Sequence, residues 1–111
     1  MEINWRSKRI LKEIYLFKEA FPCTNIKHKN SIVVITQANF KCIIKLASDW
    51  PFNPPLVLVN YNNYEFYQPT IADWNLIMDI RTIFYDVMNT INNNSYKNLE
   101  RIENKVTNIS I

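Results

Sequence analysis

The sequence predicts an α+β domain: an amphipathic helix, an antiparallel meander of three to four strands, a proline-rich turn, then two more helices. Three observations carry this. Ile10, Ile14, Phe17 and Phe21 recur at steps of three and four near the amino terminus, the spacing of one helical face. Two β-rich runs, residues 31–37 and 40–47, follow with only Ala38 and Asn39 between them, a hairpin-length link. Residues 49–55 read Asp-Trp-Pro-Phe-Asn-Pro-Pro, and three prolines there fix φ and remove backbone donors, so the segment is neither helix nor central strand.

The first helix is expected over residues 3–20, with Pro22 disfavouring helical geometry at Phe21 and so ending it. Arg6, Lys8, Arg9, Lys12 and Lys18 fall largely off its apolar stripe. The sheet is expected over residues 24–61, with Thr24 to Lys29 as a short edge strand and Leu56 to Tyr61 as the last strand. In the second run Phe40, Cys42, Ile44 and Leu46 alternate with Lys41, Ile43 and Lys45, so one face packs inward and the lysines face water. The preceding run is apolar on both parities and its facing stays open. Residues 62–73, rich in tyrosine and asparagine, read as a loop. A second helix is expected over 74–91, capped by Asp73, with Ile77, Ile80, Phe84, Val87 and Ile91 on one face. A third, over 95–109, would be capped by Ser95 and carry Leu99, Ile102, Val106 and Ile109.

At 111 residues, 48% apolar and 14% aromatic, the chain holds enough apolar surface for one core and too little length for two domains, so residues 1–111 are read as one. Glycine is absent. Phosphate-binding loops and dinucleotide fingerprints need it for close backbone approach to phosphate, so those sites cannot be built and no cofactor is expected. A net charge of +3 gives only weak attraction to nucleic acid, and none is expected as a partner. Cys23 and Cys42 match neither a disulfide framework nor a zinc-ligand spacing, so no metal is expected and a reducing compartment suits them. Residues 1–9 carry charge where a signal peptide is apolar, and no apolar run nears the roughly 20 residues that span a bilayer. The expectation is an intracellular protein, cytoplasmic or nuclear, without membrane insertion.

Three segments together resemble the ubiquitin-conjugating-enzyme family. Lys8 to Ile14 (KRILKEI) is similar to its first helix. Trp50 to Val59 (WPFNPPLVLV) resembles its Tyr-Pro-Phe-x-Pro-Pro turn entering the last strand, with Trp50 in the tyrosine position. Ala72 to Met88 resembles the tryptophan-led segment opening its central helix. The resemblance covers most of the chain in the right order and implies structural roles for Trp50, Pro51, Phe52, Pro54, Pro55 and Trp74. Active members carry a His-Pro-Asn motif and a catalytic cysteine between the last strand and that tryptophan, and this chain has neither. Phe66 or Tyr67 stands at the cysteine's position, and neither ring forms a thioester. The interval from Pro55 to Trp74 is also shorter than in the active enzymes.

The pattern is similar to the inactive ubiquitin-conjugating enzyme variants, some of which keep a stretch like Gln68 to Trp74 (QPTIADW), and to the related RWD domains. The resemblance implies a non-catalytic adaptor. Its partners would be an active conjugating enzyme, ubiquitin or a ubiquitin-like protein, or a short peptide motif; the RWD alternative is an architectural docking subunit unrelated to ubiquitin. Lys8, Arg9 and Lys12 would dock an activating enzyme or ligase, against the plain reading of a solvated helix face. Lys41, Ile43 and Lys45 would form a backside surface.

From the residues alone, Tyr61, Tyr64, Phe66 and Tyr67 suit a protein or peptide groove, because tyrosines supply rigid amphipathic area; the competing reading is that they cap the core. Cys42 reads as a buried, inert thiol. Cys23 has His28 as its only histidine neighbour and nothing to orient it, which is a poor basis for a catalytic pair. Lys27, His28 and Lys29 read as an ordinary basic loop.

Overall fold

A computed structural model of the chain describes residues 5–69 and 73–99. In order, it contains α1 (Trp5–Ala20), β1 (Asn25–Lys29), β2 (Ile32–Gln37), β3 (Phe40–Lys45), β4 (Leu56–Tyr61), β5 (Tyr64–Tyr67), α2 (Ile80–Asn92) and a single 3₁₀ turn (Ser95–Asn98). The α+β plan is as the sequence predicts.

Helix α1 buries Ile10, Ile14 and Phe17, three of the four stripe residues. The fourth, Phe21, lies just past its end, where the backbone N–H still donates to the Phe17 carbonyl at 2.8 Å before Pro22 redirects the chain. Residues 3 and 4 of the expected helix lie outside the described residues.

The strands form one antiparallel sheet in sequence order, β1-β2-β3-β4-β5. Their register lines up Ile26, Ile35, Cys42, Val59 and Phe66 across all five. These residues share one core with the apolar faces of α1 and α2, so both helices cover the same side of the sheet. The parity of β2 is thereby settled: Val33 and Ile35 face the helices, while Val34 faces away. Phe17, Phe84 and Phe40 join α1, α2 and β3, with ring centroids 5.1 and 5.8 Å apart. Each such ring pair adds about 0.5–1.5 kcal/mol beyond the area it buries.

Four expectations need correction. The sheet has five strands, not three or four, because residues 64–67 of the expected loop pair with β4. The cause lies in Asn62 and Asn63, both at positive φ (47° and 69°), the backbone a two-residue hairpin turn requires. With no glycine to take left-handed positions, asparagine fills them: Asn30, Asn62, Asn63 and Asn94 are the positive-φ residues among those described.

Helix α2 starts at Ile80, not 74, and its cap is Asp79, whose carboxylate accepts from Thr82 N–H at 3.1 Å. Asp73 caps nothing, and Ile77, expected on the buried face, is 87% exposed. Where the third helix is expected to begin, residues 95–98 form the 3₁₀ turn, preceded by left-handed Asn94, and Ser95 donates to the Thr90 carbonyl instead of capping. Residues 100–109 of that expected helix, with Ile102, Val106 and Ile109, lie outside the described residues.

The fourth correction concerns Ile43. It faces away from the helices, as expected, yet it is fully buried. Its neighbours across the sheet are Val34 on β2 and Leu58 on β4, and the three form a second apolar cluster on the far face. Alternation within one strand cannot reveal what the two adjacent strands place beside it.

Candidate functional site

The side chains that shape the molecule's most elaborated surface radiate from Arg9 and Glu13, one turn apart on α1. Glu13 belongs to the buried stripe, only 5% exposed, since it sits three residues after Ile10 and four before Phe17. Its carboxylate accepts from Arg9 Nε at 2.7 Å and from the Ile80 backbone N–H at 3.0 Å. Burial pushes the Glu13 carboxyl above its usual range, against the pull of the Arg9 and Ile80 hydrogen bonds. Arg9 also donates to the carbonyls of Leu76 and of Met78, the latter at 3.1 Å, and its guanidinium lies 5.2 Å from the Trp50 ring centre.

Helix α1 thus ties down the segment leading into α2 from both sides of one peptide run. Partial burial works to raise the Asp79 carboxyl, but hydrogen bonds from Arg81 and Thr82 outweigh it and hold the group below its usual range. Two carboxylates, Glu13 and Asp79, therefore satisfy the first N–H groups of α2.

The proline turn is the other wall. Trp50 and Pro51 are buried, joined by a cis peptide bond, and Pro55 is buried too, while Pro54 is half-buried. The Trp74 indole N–H donates to the Pro51 carbonyl at 2.8 Å, so this indole pins residue 74 to the turn, six residues ahead of the start of α2. Phe52 departs from its expected structural role. It is 60% exposed and meets the ring of Trp5, itself 51% exposed, edge-on at 6.0 Å. Leu76 and Ile77 are exposed on the segment that Arg9 holds. Ile77 also lines an open groove of about 410 Å³, together with Lys8, Lys12, Leu16 and Asp79.

Among the residues expected to dock a partner, Lys8 and Lys12 are exposed in that groove, whereas Arg9 is a structural tie. The aromatic groove is not formed. Tyr61, Tyr64 and Phe66 surround buried Tyr96, with ring centres 5.2, 5.2 and 5.9 Å from it, so these rings cap the core. Phe66 and Tyr67, at the position of the missing cysteine, are neighbours on β5 and point to opposite faces: Phe66 is 1% exposed and Tyr67 is 45%. Around Ile43, Lys41 is half-buried and Lys45 exposed, so the expected backside surface lacks an exposed isoleucine at its centre.

No family model, curated protein or solved structure matches this chain significantly. What the site can do must be read from its own chemistry. Burial pushes the Cys42 thiol up to about 12, so it is neither ionised nor reachable at neutral pH. Cys23 is exposed and free. Among the described residues no three His, Cys, Asp or Glu side chains gather as metal ligands, and no helix is long and apolar enough to cross a membrane.

The sequence reading missed Trp5, Glu13, Leu76 and Asp79. A signal existed for one of them: a glutamate within an apolar stripe at helical spacing calls for a buried partner. For Leu76 and Ile77 there was none, since their exposure depends on which aspartate starts α2.

Proposed function

We propose that this chain is a non-catalytic adaptor of the ubiquitin-conjugating enzyme variant type, acting by binding other proteins. The observation that carries the reading is a set of exposed apolar side chains: the Trp5–Phe52 ring pair, and Leu76 and Ile77 on the segment that Arg9 holds, with Ile77 in the groove beside Lys8 and Lys12. Large apolar side chains held outward by a network of buried hydrogen bonds are costly to leave in water, and they suit a partner surface. The flanking lysines favour one with carboxylates around an apolar anchor. The succession of helix, antiparallel meander, proline turn, a tryptophan bonded back to that turn and a later helix supports the family likeness. The sealed Cys42 thiol supports a role without thioester chemistry.

The test has two arms. Incubation with ubiquitin, activating enzyme and ATP should leave the chain unmodified; a reductant-sensitive ubiquitin adduct on either cysteine would refute the proposal. In the second arm, isotope-labelled chain is titrated with ubiquitin and a panel of conjugating enzymes, and shifts should concentrate at Trp5, Phe52, Leu76 and Ile77. A chain that responds to none of them fits the RWD-type architectural role instead, and the ubiquitin reading falls.

A further inference from the structure

The face of the sheet turned away from both helices segregates its charge. Two neighbouring rows cross the strands in register: Lys27, Val34, Ile43, Leu58 and Tyr67 in one, and Lys29, Ile32, Lys45 and Leu56 in the next. Val34, Ile43 and Leu58 form a buried apolar floor. Each row begins in an exposed lysine on β1 and ends in an exposed apolar side chain, Tyr67 at 45% and Leu56 at 49%. Half-buried Lys41, on the parity of Ile43 and Lys45, adds a further cation. All four lysines of the five strands therefore share this face, while the one acid of the strands, Glu65, is only 5% exposed.

We infer that this face docks the protein onto an anionic lipid surface. Its cations fix the sign of the occupant, because a cluster of lysines at a membrane is drawn to acidic headgroups. The type of cation narrows the choice. An arginine fork matches a fixed carboxylate or phosphate through two bonds, and no arginine stands on the strands. Lysines are flexible, hydrated point charges that attract without a fixed pattern, which suits headgroups free to move sideways. Tyr67 and Leu56 supply the apolar contact, the tyrosine at headgroup level and the leucine at the acyl boundary. A single-stranded nucleic acid calls for several stacking rings on a sheet face, and Tyr67 is the one ring the strands place here. Docking of this kind is adsorption and puts no part of the chain across the bilayer.

The inference is independent of the ubiquitin reading, whose groove lies on the helix side of the sheet. Its test is co-sedimentation of the full chain with vesicles of phosphatidylcholine holding about one-third phosphatidylserine, against vesicles of phosphatidylcholine alone. Binding is expected to the anionic vesicles only, and to weaken as added salt shortens the screening length. Lys29→Ala combined with Lys45→Ala should lower vesicle affinity about 25-fold, at about fivefold for each lysine near the surface. Lys18→Ala, on the helix that packs against the opposite side, should leave it within about twofold. With a spin label on the lipid headgroups, NMR signals of Lys29, Lys45, Leu56 and Tyr67 in isotope-labelled chain should broaden most. No binding to the anionic vesicles, equal binding to neutral ones, or a larger loss from Lys18→Ala than from the sheet pair would each overturn the assignment. So would tighter binding to polyglutamate or a single-stranded oligonucleotide at equal salt, which would give the face to an acidic protein or a nucleic acid.

Discussion

Replacing Glu13 isolates the joint on which the start of α2 depends. Its carboxylate makes two buried hydrogen bonds, to the Ile80 N–H at 3.0 Å and to Arg9 Nε at 2.7 Å. Glu13→Leu leaves the Ile80 amide with no acceptor, a loss of about 1–3 kcal/mol for an orphaned buried donor. Arg9 keeps the Leu76 and Met78 carbonyls, so its share of the loss is smaller, on the order of 1 kcal/mol. Against this, a leucine buries apolar surface and removes a desolvated charge, returning about 1–2 kcal/mol. The net expectation is destabilisation of about 0–3 kcal/mol, centred on about 1.5, with a fall of roughly 4 °C in melting temperature per kcal/mol at this chain length.

Glu13→Gln retains an acceptor for Ile80 and separates charge from hydrogen bonding. Because burial raises the Glu13 carboxyl in the folded state, that group favours folding fully below its ordinary value of 4.5 and loses this contribution as pH rises through its folded value. The glutamine variant lacks the titration, so its stability relative to the native chain should improve as pH is raised from about 4.5 towards neutrality. Urea unfolding at several pH values, with hydrogen exchange at the Ile80 amide, measures both effects. A Glu13→Leu variant with native stability and native Ile80 protection would refute the joint, and a pH-independent gap for Glu13→Gln would refute the burial effect.

Two further outcomes follow from the packing. Thiol alkylation under native conditions at about pH 8 should label Cys23 alone, with Cys42 reacting only on unfolding, because its thiol is fully buried and pushed up to about 12; rapid native labelling of Cys42, read by peptide mass mapping, would contradict the placement of β3. Trp74→Phe keeps a ring but removes the N–H donated to Pro51, so chemical denaturation should show a loss of about 0.5–1.5 kcal/mol, and an unchanged unfolding midpoint would show that the indole does not pin the turn.

The regular elements were legible where one period dominated. The stripe of α1, the alternation of β3 and the stop at Pro22 each follow from local chemistry, and the proline turn follows from φ alone. Beyond those, chemistry that depends on another part of the chain stayed hidden. Asp73 and Asp79 are equally good caps in sequence, and the choice between them is made by Glu13, 67 residues away from its Ile80 partner. The β5 hairpin was hidden by habit of composition: two asparagines between tyrosines look like a loop unless a glycine-free chain is expected to use asparagine for left-handed turns. Ile43 was misjudged because its burial comes from Val34 and Leu58 on the strands beside it.

The same distant choice shapes the surface. Had α2 begun at residue 74, Ile77 would have joined the buried stripe with Ile80 and Phe84, and no apolar anchor would stand beside Lys8 and Lys12. By fixing the first N–H of α2 at Ile80, Glu13 leaves residues 75–79 as a turn, and Arg9 then clamps that turn through its carbonyls with Leu76 and Ile77 facing water. A polar network buried at some energetic cost is therefore what holds Leu76 and Ile77 exposed. Stability and presentation rest on the same two side chains, so weakening either one should blur the surface around Leu76 and Ile77 and also loosen α2, whose Ile80, Ile83 and Phe84 share a core with the sheet residues Ile35, Cys42, Ile44 and Val59.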